Sequence, residues 1–202
     1  KLFLWLLAPL FALCAALALA VLLPGYARTA HAAESGHTEH GAGWTALSAD
    51  GGTLTGGNYY LASDVTLTTD LTVSGTVTLC LNGYVLTGTG SGAVILVGSG
   101  GDFTLCDCRE GAADVANEIN GVPYNSGVIT GGTGRRGDTT AGGGIRADYD
   151  TVFTLNGGAI VGNRAELGGG VYACGDAFIM NGGTIAGNTA TGDIFSDGGG
   201  VY

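Results

Sequence analysis

The chain has 202 residues, 40 of them glycine, with 46% apolar residues and seven Lys+Arg against 17 Asp+Glu, a formal net charge of −10. Lys1 is the sole lysine, and His31, His37 and His40 all fall in the first fifth of the chain; this excludes a P-loop or Schiff-base lysine, a basic nucleic-acid-binding face, and a His-based triad or multi-His metal site in the body. Proline numbers only three and glycine does not recur at every third position, so the composition is neither collagenous nor that of a disordered Pro/Gly tract.

The first element in chain order is an export leader. Leu2 to Leu23 is an almost unbroken apolar run, preceded by Lys1 and followed by Pro24-Gly25 and the A-x-A set Ala30-His31-Ala32. A positive start, an apolar stretch and a small-residue site describe a secretory signal peptide over 1–32, cleaved between Ala32 and Ala33. The run is also long enough to span a bilayer, so an uncleaved anchor is the rival reading, with membrane contact through this segment alone. Removal of the leader takes Lys1 and Arg28 and leaves every acid in place, making the exported part more acidic still. Such a surface argues against nucleic acid and anionic membranes as partners.

His37-Thr38-Glu39-His40 offers HxxH plus a carboxylate, but in an N-terminal flank without a further ligand it reads as a solvated polar leader. Residues 33–57, including Trp44 and the Asp50-Gly51-Gly52 turn, are expected to form that flank and an N-terminal cap on the repeats.

From residue 58 onward the chain reads as a repeat. Residues 142–167 and 168–197 each open on a glycine triplet, and Gly198-Gly199-Gly200-Val201-Tyr202 opens a third unit. Phe153-Thr154-Leu155-Asn156 matches Phe178-Ile179-Met180-Asn181, and Gly162-Asn163 matches Gly187-Asn188, both at 25 residues. Fainter copies lie upstream in Val77 to Gly83 with Tyr84-Val85-Leu86, and in Ala93 to Val97, Asp102 to Cys106 and Gly127 to Gly131, the last after an insertion of roughly 20 residues. Each unit holds three short bursts rich in Val, Ile, Leu, Thr and aromatics, separated by Gly, Asn, Asp or Ser. Bursts that short are strands, and three strands with three corners in about 25 residues make one rung of a parallel β-helix. The expected fold is thus all-β over 58–202, four to five rungs that continue past Tyr202, preceded by the leader as a signal or anchor helix. Phe153 over Phe178, Leu155 over Met180 and Ile160 over Ile185 are the expected inward ladders. Asn156 over Asn181 and Asn163 over Asn188 are the expected corner ladders.

The rungs at 142–202 resemble the right-handed parallel β-helix repeats of secreted bacterial surface proteins. FTLN (Phe153 to Asn156), FIMN (Phe178 to Asn181), GGAI (Gly157 to Ile160) and GGTI (Gly182 to Ile185) are similar to the FxxN and GGAI tetrapeptides of chlamydial polymorphic outer-membrane proteins, although here FxxN runs directly into GGxI. The stretch from Gly57-Asn58-Tyr59-Tyr60 through Cys80-Leu81-Asn82-Gly83 to Cys106-Asp107-Cys108 is similar to the start of clostridial adhesin-like β-helix proteins. The resemblance implies a right-handed solenoid and an adhesive surface role.

Pectate-lyase-like enzymes share this architecture, and what that resemblance implies is a set of calcium-holding carboxylates with an Arg or Lys base on one exposed sheet. Arg146, Asp148, Asp150, Arg164, Glu166 and Asp176 fall on neighbouring rungs, but their spacing does not repeat and half lie in corners, so they read as solvated corner charges. Arg136-Gly137-Asp138 is the integrin-binding tripeptide in a Gly-rich stretch expected to be a loop. Cys80 and Cys106 lie 26 residues apart, one rung. They can stack at about the 4.8 Å strand spacing, either as a disulfide or as buried thiols. Cys106-x-Cys108 is too tight for the usual zinc spacing, and no histidine is near in sequence. No cofactor, metal site or reaction is assigned. The expectation is an exported structural and adhesive segment whose lateral face contacts host or cell-wall glycans or surface proteins. The alternative is a polysaccharide lyase or glycosidase whose active residues lie outside this stretch.

Overall fold

The computed structural model describes residues 37, 39–136, 139–192 and 197–202, all within the second of two compact units, His31–Tyr202. The expected leader, its cleavage point and the anchor alternative lie outside the described residues. The described part is all-β, with no helix among the described residues and therefore none that could cross a membrane.

Three parallel sheets carry the fold. The first has six strands: Trp44–Ala46, Gly57–Tyr60, Thr76–Cys80, Asp102–Cys106, Val152–Leu155 and Ala177–Met180. The second has five: Val65–Leu67, Val85–Gly88, Val128–Thr130, Ala159–Val161 and Thr184–Ala186. The third also has five: Gly52–Leu54, Leu71–Val73, Ile95–Val97, Ile145–Ala147 and Val171–Ala173. From Gly57 on, the chain visits the first, second and third sheet in that order and returns to pair with its own previous strand. This arrangement is compatible with a parallel β-helix. Parallel pairing already begins at Trp44, opposite Asn58, inside the stretch read as a cap.

The register explains why short, weakly periodic bursts suffice. Val77, Phe103, Phe153 and Phe178 are successive partners in the first sheet, with Leu79, Leu105, Leu155 and Met180 beside them. Val65, Leu86, Ile129, Ile160 and Ile185 align in the second sheet. Leu71, Ile95, Ile145 and Val171 align in the third. These columns make one continuous core, most of whose members are fully buried, so each residue finds like neighbours above and below.

Two insertions interrupt the cycle, and each contains an antiparallel hairpin. The first pairs Asn117–Ile119 with Val122–Tyr124. Its Ile119 and Tyr124 pack on the outer face of the second sheet, over buried Val128, Ala159 and Val161. That is why all three residues of Ala159–Val161 are buried rather than alternating. The second pairs Arg135–Arg136 with Thr139–Thr140.

The glycine triplets stack at the corner leading into the third sheet. Gly142, Gly168 and Gly198 each hold a left-handed φ, +66°, +59° and +65°, and Gly169 N–H donates to the Gly198 carbonyl at 3.0 Å. A Cβ on Gly169 would sit 2.5 Å from the Thr189 carbonyl oxygen and 2.7 Å from that of Gly199. Gly169→Ala is therefore expected to destabilise by at least about 1–3 kcal/mol in urea unfolding, because backbone must move. Gly187, with φ +60° but nothing within 4 Å, is the control, and its Ala variant carries only the roughly 1–2 kcal/mol of left-handed strain. Equal losses with no backbone shift at Gly169 would refute the close-approach argument.

Candidate functional site

The corner asparagines form two ladders of different depth. Asn181 Nδ2 donates to Asn156 Oδ1 at 2.9 Å on the exposed surface. Asn163 is fully buried; its Nδ2 donates to the Ile129 carbonyl at 3.1 Å and to Asn188 Oδ1 at 3.0 Å, while its Oδ1 accepts Gly132 N–H at 3.0 Å. Asn188 Nδ2 passes the pattern on to the Ile160 carbonyl at 2.8 Å. The Asn163 and Asn188 amides satisfy corner backbone groups, whereas those of Asn156 and Asn181 bond each other at the surface. In the inward ladders, Phe153 faces Phe178 with ring centroids 5.2 Å apart, whereas Met180, over buried Leu155, is 48% exposed.

The residues considered for a lyase do not converge. Arg146 and Asp148 meet in an ion pair at 2.8 Å. Arg146 is not a solvated corner charge: it stands mid-strand between buried Ile145 and Ala147, pointing outward, and its guanidinium lies 5.9 Å from the Tyr172 ring centroid. Tyr172 in turn stacks on Tyr202, centroids 5.5 Å apart and planes within 6°. Asp150 adopts φ +57° and receives the Gly100 N–H at a turn. Arg164 belongs elsewhere, lining a shallow cavity of about 480 Å³ with Thr89, Thr133, Thr140 and Thr191. Glu166 and Asp176 are exposed. Of the tripeptide, Arg136 lies in the second hairpin, while Gly137 and Asp138 lie outside the described residues.

Cys80, Cys106, Cys108 and Cys174 are all free thiols. Cys80 and Cys106 are register partners at the end of the first sheet. They are not bridged, as in-register parallel strands hold the two side chains side by side rather than at the near-perpendicular dihedral a disulfide needs. Cys106 instead turns its Sγ toward the Leu79 carbonyl, 3.6 Å away. Cys108 comes beside Cys80 through a tight turn made by buried Asp107, whose Oδ1 accepts the N–H groups of Gly83 at 2.8 Å and Arg109 at 3.1 Å. The Cys108 N–H then donates to Cys80 Sγ at 3.3 Å.

His37 and His40, read from sequence as a solvated leader, lie against these two cysteines instead. One ligand atom from each of His37, His40, Cys80 and Cys108 falls within 4.8 Å of the other three. The two Nε2 atoms are 3.1 Å apart, and Cys108 Sγ is 3.9 Å from His40 Nε2. Aromatic packing holds the histidines there. His40 stacks on Tyr60 at 4.4 Å with planes within 8°, and His37 leans on Trp44 at 4.2 Å. Tyr60 is the register partner of Cys80, so the stack delivers the imidazole to the cysteine one strand along. Burial, with the neighbouring His37, lowers the His40 pKa and favours its neutral ring. The hydrogen bond with Cys106 and burial push the Cys80 thiol up to about 12. Cys108 is raised too, first by its hydrogen bond with Cys80 and then by burial.

The sequence shows the His37–His40 pair but pairs Cys80 with Cys106 rather than Cys108, and some forty residues separate the histidines from the cysteines. Two imidazoles beside two sulfur ligands are a donor set suited to a borderline-soft divalent metal. Compared with known protein families, curated proteins and solved structures, the chain matches none.

Proposed function

We propose that the chain is an exported, right-handed parallel β-helix segment that acts as a rigid structural and adhesive scaffold on a bacterial surface, contacting glycans or surface proteins along its side. Right-handedness is the near-universal sense of parallel strand connections. The support for a scaffold is the one-rung register shared by three sheets. The observation that carries the adhesive part is the outward column of the third sheet, where Arg146, Tyr172 and Tyr202 align one rung apart. Tyr and Arg are the side chains enriched at interface centres, and a stacked phenol pair with a guanidinium offers both an apolar platform for a sugar ring and donors for its hydroxyls.

The test is binding of the purified chain to a panel of pectins, mucin glycans and cell-wall polysaccharides, with reducing and unsaturated ends assayed in parallel. Saturable binding that weakens about tenfold in Tyr172→Ala, with no new ends, is the expected result; a central anchor contributes at least about 1–2 kcal/mol. Release of ends would replace the scaffold reading with the lyase or glycosidase alternative. Unchanged binding in Tyr172→Ala would remove this face from the adhesive surface.

A further inference from the structure

We propose that His37, His40, Cys80 and Cys108 are the four ligands of a structural Zn(II) site that clamps the N-terminal segment onto the end of the first sheet.

The separations fit the metal. For a tetrahedron with Zn–S about 2.3 Å and Zn–N about 2.05 Å, ligand atoms stand about 3.3 Å apart for N–N, about 3.6 Å for S–N and about 3.8 Å for S–S. The observed Nε2–Nε2 distance is 3.1 Å and the Sγ–Nε2 distance 3.9 Å. No pair exceeds 4.8 Å, so small rotamer changes close the shell. Two sulfurs and two imidazoles select zinc over magnesium or calcium, which take oxygen.

The surroundings are those of an ordered ligand set. Each imidazole is fixed by an aromatic ring, His40 by Tyr60 and His37 by Trp44. The Cys108 amide pointing at Cys80 Sγ is the outer hydrogen bond that stabilises a metal-bound thiolate. Four protein ligands leave no open position, which marks a structural rather than a catalytic centre. The consequence is topological. Thr76–Cys80 and Asp102–Cys106 are interior strands, whereas Trp44–Ala46 is an edge strand of the first sheet. Metal ligation ties the chain just before that edge to the two strands behind it.

The experiment titrates the purified, reduced chain with Zn(II) and, separately, with Co(II), whose visible bands and near-UV thiolate charge-transfer band report tetrahedral sulfur–nitrogen coordination. One metal per chain with that spectrum is expected. Cys108→Ser and His37→Ala, both at half-buried positions, should each weaken binding by more than the 10–100-fold typical of lost outer-shell partners, with the far-ultraviolet spectrum unchanged. Cys174→Ser should bind as the parent does. Chelation should speed amide exchange across Trp44–Ala46 about tenfold or more while leaving Val152–Leu155 protected. Absence of saturable binding, an unaltered cobalt spectrum in His37→Ala, or recovery of the chain with Cys80 and Cys108 joined as a disulfide would each overturn the site. None of these readouts depends on what the scaffold adheres to.

Discussion

Phe153→Ala is expected to lower the unfolding free energy by about 3–5 kcal/mol, the range for emptying a fully enclosed aromatic site. Phe153 is 0% exposed and lies between Phe103 and Phe178, ring centroids 5.6 and 5.2 Å away and planes within 15° and 19°. In a stacked repeat, stability is close to a sum of neighbour interfaces, so a truncated middle ring weakens two of them at once. A domain holding about 5–15 kcal/mol in total is left marginal by that loss. Phe178 provides the internal comparison, since it is only half-buried with its own ring contact to Phe153, and Phe178→Ala should give up about half as much. Urea denaturation of the three proteins, with unchanged slopes, measures both differences. Equal losses for the two variants would show that the rings do not act as a stack with Phe153 at its centre.

That stack was legible in the sequence because the rungs from Gly142 onward repeat both their side chains and their spacing. Where both are kept, as in Phe153 and Phe178 or Asn163 and Asn188, alignment of the sequence with itself gives the spatial neighbours. Upstream the spacing changes. Tyr60 partners Cys80 and Trp44 partners Asn58, steps shorter than the later period and joining unlike residues, so nothing in the letters marks Trp44–Ala46 as part of the first sheet. The insertion after Cys106 was visible as an interruption, but its hairpin was not, and neither was its role in covering Val128 and Val161 with Ile119 and Tyr124.

The Cys–His cluster was hidden for a related reason. The one-rung spacing makes Cys106 the strand partner of Cys80, yet register along a ladder says nothing of which further thiol the next turn brings beside that pair. Cys106 closes a strand whose alternate residues face the core, while the Asp107 turn brings Cys108 back beside Cys80. A residue two positions past the expected one thus takes the place at the surface, and the histidines reach it through ring stacking that no spacing rule encodes.

Asp107→Ala should therefore be the most damaging polar substitution, at about 3–5 kcal/mol, from leaving several backbone donors at about 1–3 kcal/mol each without a partner. Asp107 is 1% exposed. Both its oxygens are used: Oδ1 takes Gly83 and Arg109, and Oδ2 takes the buried Gly127 N–H at 2.5 Å. The chain leaves the first sheet just before Asp107 and enters the second just after Gly127, so one carboxylate pins both ends of the excursion carrying the covering hairpin. Asp107→Asn separates the donor count from the charge. An amide keeps one acceptor oxygen and turns an NH2 toward the other group, so either the Oδ1 pair or Gly127 faces a donor. It should recover part of the loss, with amide exchange accelerated at Gly83 and Arg109 or at Gly127 but not at both. Full recovery of stability by Asn, with all three amides still protected, would mean that the two-oxygen grip is not what holds this corner.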